Sequence, residues 1–152
     1  MKKVIRLVGL VCLLSVLAIG WAGAEELQPG QFDGVTIKAC LIGGGAYEKL
    51  YEEYFPKFEQ LTGAKVEVVF KAQHFELDNK VKIDFAAGTA DYDIFSSHTS
   101  FYPQYFSGTE PLENYFSQEE LADFIPRILD VCWKDGHLWI IPRHVDISQL
   151  YY

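Results

Sequence analysis

"VTIKACLIGGGAYEKLYEEYFPKFEQLTGAKVEVVF", residues 35–70, sets two β-rich runs on either side of one long helical pattern. The first run turns continuously apolar over Ala39, Cys40, Leu41 and Ile42, as a strand covered on both faces does. Gly43-Gly44-Gly45 interrupts it. From Ala46 the residues Tyr47, Leu50, Tyr51, Tyr54, Phe55, Phe58 and Leu61 recur at three- and four-residue intervals. Glu48, Glu52, Lys57 and Gln60 take the opposite face. Gly63 stands where a helix ends in a left-handed residue, and residues 65–70 make the next strand. Two strands joined through a helix of this length must run parallel, with a right-handed connection. The fold class is therefore α/β, with a mostly parallel sheet.

The alternation continues downstream. A second helix is predicted over 76–87, with Leu77, Val81 and Phe85 on one stripe and Gly88 ending it. "DYDIFSS" (91–97) contains a third short strand at 94–96. Residues 101–106 read as one helical turn broken by Ser107-Gly108. "PLENYF" is a loop, followed by short helices over 118–124 and 126–132, with Pro126 in the first turn of the second. "KDGHLWIIP" (134–142) is a hairpin whose turn is Asp135-Gly136.

Residues 1–24 stand apart from this pattern. Lys2, Lys3 and Arg6 precede an uncharged apolar run, residues 7–19, and Ala22-Gly23-Ala24 supplies a small-x-small site. This reads as an export signal, with cleavage expected between Ala24 and Glu25, so the protein is expected in the periplasm or outside the cell. Removing those three from 13 basic residues leaves 10 against 21 acidic ones, a net charge of −11. Such a surface repels phosphate backbones, so no nucleic-acid partner is expected. Cys40 and Cys132 remain. Export permits a disulfide, but Cys40 sits where a strand wants a small hydrophobe, so two buried thiols are expected.

Five stretches in register carry a resemblance. They are the signal segment, "TGAKVEVVF" (62–70), "FAAGTADYDIF" (85–95), "FYPQYFSGTEPLENY" (101–115) and "DGHLWIIPRHVDISQLYY" (135–152). In this order they resemble the N-terminal part of the extracellular solute-binding proteins of ABC importers, in the sugar-binding group that includes maltose-binding protein. The resemblance covers essentially residues 33–152. It implies the first lobe of a two-lobed, type II periplasmic-binding fold, with 35–142 the partial lobe; residues 25–34, with Pro29 and Gly30, read by themselves as a flexible mature N-terminus. Residues 143–152 would be a strand crossing the hinge toward a second lobe, and the chain an N-terminal fragment that binds weakly by itself. It further implies a monomer that captures a small solute, most readily a carbohydrate, and delivers it to membrane permease subunits. No cofactor, metal or catalysis is implied.

Ligands of open α/β sheets bind beyond the carboxyl ends of the strands. That rule points to Ala46, Tyr47 and Glu48 after the first strand, and to Ser97, His98 and Thr99 after the third. The resemblance adds His144 and Asp146 in the crossing segment, where a carboxylate can accept two sugar hydroxyl protons. Each candidate has an ordinary alternative: the glycine run as a strand-to-helix turn, the histidines as surface residues, Asp146 as a partner of Arg143. The glycine run lacks the spacing of either nucleotide-binding fingerprint. The four histidines lack metal-ligand spacing, and no hydrolase signature surrounds Ser97 or the cysteines. Alternative ligands are a polyamine, attracted by Glu48 and Asp146, a metal chelate or a phosphorylated polyol. A sensor ectodomain or an exported hydrolase is the alternative of another class.

Overall fold

The computed structural model describes residues 28–144. The expectations for the signal segment, for Asp146 and for most of the hinge-crossing strand fall outside them. Within them the chain is an α/β unit. A three-stranded parallel sheet is built from β1 (Thr36–Ile42), β2 (Lys65–Ala72) and β3 (Ile94–Phe95), in the order β2-β1-β3. It is flanked by α1 (Ala46–Thr62) and α2 (His74–Ala87).

β1 is the central strand, and its burial explains its composition. Ala39, Cys40, Leu41 and Ile42 are all buried although successive side chains point to opposite faces. Cys40 and Ile42 face Leu77 and Val81 of α2, together with Tyr105. β2 lies at an edge and carries a bulge: Ala39 pairs with Val68 and Cys40 with Phe70, leaving Val69 as the extra residue. Its charged Lys65, Glu67 and Lys71 keep that edge polar.

The helix boundaries follow local chemistry. Gly44 and Gly45 have φ of 108° and 46°. The turn from β1 into α1 therefore needs residues without a Cβ. Gly63 ends α1 in the left-handed region, its N–H donating to the Glu59 carbonyl. A Cβ there would lie 1.8 Å from the Asp33 carboxylate, because residues 28–34 turn back against this helix end. Gly30 and Phe32 donate to the carbonyls of Leu61 and Thr62, so this part of the expected flexible N-terminus is hydrogen-bonded. α1 continues through Pro56, which removes one helical donor on an exposed turn.

α2 begins at His74, earlier than the expected start at residue 76. Its buried face includes two carboxylates that the apolar stripe did not reveal, Asp78 and Asp84. Lys82 and Lys80 pair with them at 2.5 Å, one helical turn away in each case. Asp78 also accepts hydrogen bonds from the Gln104 amide and the Tyr105 hydroxyl.

The segment after β3 differs from expectation in detail. The predicted helical turn at 101–106 is a 3₁₀ helix, Tyr102–Gly108, that runs through Ser107-Gly108 rather than breaking there. A second 3₁₀ turn, Glu113–Tyr115, occupies the expected loop. α3 (Gln118–Ala122) is shorter than predicted and opens on a capping box between Ser117 and Glu120. α4 (Pro126–Asp130) also ends early. β4 (Trp133–Lys134) and β5 (His137–Leu138) form the hairpin. Its turn has Asp135 and Gly136 at φ of 53° and 86°. This is the mirror-image turn that suits strand twist.

Leu121, Cys132 and Leu138 form a second small core, with Leu129, Ile140 and Ile141 against it. The two cysteines lie in separate cores as free thiols. Among the described residues no helix is long and apolar enough to cross a membrane.

Candidate functional site

A cleft of about 430 Å³ opens where β1 and β3 end. Ile42 and Phe95, the last residues of those strands, form part of its floor. His74 at the start of α2 and the loop Ser96, Ser97, His98, Thr99 form one side. Arg127, Ile128, Val131 and Cys132 stand opposite, and Ile140 to His144 complete the rim. The position follows from the parallel sheet, since all three strands deliver their following loops to one end.

Rings run along this opening. His144 meets Tyr47 edge to face at 5.1 Å, and Tyr47 meets His74 at 6.4 Å. His74 meets His98 at 5.7 Å, and His98 lies 5.7 Å from Phe101. The Tyr47 hydroxyl and His144 Nε2 are hydrogen-bonded at 2.7 Å. His98 Nδ1 accepts the Ser100 N–H at 3.1 Å, so in the neutral ring the proton sits on Nε2.

Arg143 is held from two sides. Its guanidinium donates to the Tyr51 hydroxyl at 2.8 Å, and that hydroxyl donates in turn to the Ile42 carbonyl at 2.8 Å. Its central carbon also lies 4.6 Å from the Tyr47 ring centroid, a cation–π arrangement. The sheet end, α1 and the rim are thereby tied together.

Of the eight sequence candidates, Ser97, His98, Thr99 and His144 line the cleft. Tyr47 reaches its rim through His144. Ala46 and Glu48 do not line it. Glu48 pairs with Lys71 at 2.6 Å and accepts the Gly44 N–H at 3.3 Å. The lysine first, then that N–H, hold its carboxyl below the usual glutamate range. It fastens the glycine turn to β2. Asp146 lies outside the described residues.

Sequence reasoning missed His74 and Arg127. His74 follows β2 as Ser97 follows β3, so the same strand-end rule, extended to the second strand, would have found it. Arg127 is brought in by a short helix remote from every strand of the sheet, and no local signal marks it.

Cys132 lines the cleft, but burial raises its pKa. Its Sγ–H also donates to the Ile128 carbonyl at 3.3 Å. It is a poor nucleophile for both reasons. Among the described residues no group of three or more His, Cys, Asp or Glu could hold a metal ion.

Set against models of known protein families the chain matches none, and no curated protein matches it.

Proposed function

We propose that this chain supplies the first lobe of a solute-binding component of an ABC importer, and that the solute is a carbohydrate. One observation carries the reading: the cleft at the carboxyl ends of β1 and β3, lined by Ser97, His98, Thr99 and His144. The parallel β2-β1-β3 order with flanking helices fits the first lobe of a type II periplasmic-binding fold. A few hydroxyl and imidazole groups among aromatic rings suit sugar hydroxyls and the apolar faces of a pyranose. Transport would proceed by hinge closure, with ligand contacts from both lobes stabilising the closed state. A single lobe makes only part of those contacts, so its affinity is expected to be weak.

The polyamine alternative loses support from Glu48, whose charge is already compensated by Lys71. Saturation-transfer NMR on the intact chain tests the proposal. Neutral and acidic saccharides are offered beside putrescine and spermidine. Saccharide signals should respond and polyamine signals should not. The reverse pattern would replace the carbohydrate reading with the cationic one.

A further inference from the structure

Among the described residues, the charges lining the cleft are opposite in sign to the net charge of the chain. The sequence has a net charge of −8, with 21 acidic residues, yet among the described residues none of those lining the cleft is Asp or Glu. The sequence has three arginines, and the two within the described residues, Arg127 and Arg143, both line it.

Most of the lysines behave differently. Lys38, Lys57, Lys65, Lys71, Lys80 and Lys82 each pair with a carboxylate. Among the described residues neither arginine is paired with a carboxylate. Arg143 is nonetheless oriented, by the Tyr51 hydroxyl and the Tyr47 ring. That bond uses one of the five N–H donors of a guanidinium. A planar fork positioned in advance is the group best suited to an oxyanion, which it can bind through two parallel hydrogen bonds. Ser96, Ser97 and Thr99 add hydroxyls on the opposite side, and His98 an Nε2 donor.

We propose that the solute taken by this cleft carries an oxyanion, a carboxylate, phosphate or sulfate, and that Arg127 and Arg143 hold that group while the Ser97–Thr99 loop holds the rest. This rests on the cleft being the solute site. It narrows a carbohydrate to an acidic or phosphorylated one.

The test is a titration of the ¹⁵N-labelled intact chain, followed at the amides of Ser97, His98 and Thr99. The probes are D-glucuronate, D-glucose 6-phosphate, D-glucose 6-sulfate and neutral D-glucose. At about 50 mM salt at least one anionic probe should bind about tenfold tighter than D-glucose. That advantage should shrink at about 500 mM salt, where charges are screened beyond roughly a few ångströms. Which anionic probe binds tightest identifies the oxyanion. Arg127→Gln, on an exposed helix, should reduce the advantage below about threefold and leave the remaining amide spectrum unchanged. Arg143→Lys provides a second variant that keeps the charge but loses the planar fork, and it too should reduce the advantage. If D-glucose binds as tightly as the anionic probes, or Arg127→Gln leaves the advantage intact, the oxyanion assignment fails while the solute site stands. If no probe moves the loop amides, both fail.

Discussion

Leu138→Ala tests whether the wall opposite the Ser97–Thr99 loop is held up by the second small core. Leu138 is fully buried, against Leu121 and Cys132, with Ile140 and Ile141 packed beside them. Its backbone is fixed independently: its N–H donates to Glu113 and its carbonyl accepts from Leu112. The substitution therefore removes side-chain contact without disturbing those bonds. Truncating a buried leucine costs about 2–5 kcal/mol, more where the surroundings cannot collapse into the space. A core this small can relax, which puts the cost at about 3 kcal/mol. For a domain of this size that lowers Tm by roughly 10 °C. Chemical denaturation followed by tryptophan fluorescence reads the cost directly, since Trp133 and Trp139 flank this core. Ile125→Ala is the control, at a residue 64% exposed. It should cost less than about 0.5 kcal/mol. A loss below about 1 kcal/mol for Leu138→Ala, with an unchanged denaturant slope, would refute this packing account.

Three further outcomes follow from the geometry. Tyr51→Phe removes the hydroxyl between Ile42 and Arg143, so it should cost about 1 kcal/mol by urea denaturation and weaken solute binding by freeing Arg143. Burial pushes the Cys40 thiol up to about 11 and raises that of Cys132. Iodoacetamide near neutral pH should therefore label both slowly in the folded protein and rapidly in urea; mass spectrometry showing fast native labelling would contradict their burial. His137, then backbone N–H donors, hold the Glu113 carboxyl below its ordinary value of 4.5. Its stabilising effect is present above that pH and fades as pH falls through the lowered value. The stability gap between the parent and Glu113→Gln should therefore be open near neutrality and close in acid. A gap that widened in acid would reverse the sign of the argument.

The sheet was legible because its signals are local. The apolar run 39–42, the glycine turn and the helical repeat from Tyr47 to Leu61 each specify one element, and parallel pairing follows from the length of the crossover. Helix ends were legible at Gly63 and Gly88, where a left-handed residue is required. What the sequence concealed depends on distant partners. Asp78 and Asp84 interrupt the apolar stripe of α2 and are accommodated only because lysines one turn away, with Gln104 and Tyr105, compensate them. The 3₁₀ turns depend on packing against α2 and the hairpin rather than on propensity. Three residues of the site, Ser97, His98 and Thr99, were legible for the same reason as the sheet, because strand ends predict loops, and His144 came from the resemblance. Arg127 was not, since α4 reaches the cleft through tertiary packing alone.

A crystal structure of the intact chain, soaked with the saccharide that gives the strongest saturation-transfer response, locates the bound solute directly. The sugar is expected in the cleft beyond β1 and β3, within hydrogen-bond distance of at least two of Ser97, His98, Thr99 and His144. A sugar seated elsewhere on the protein, with this cleft holding only solvent, would contradict it.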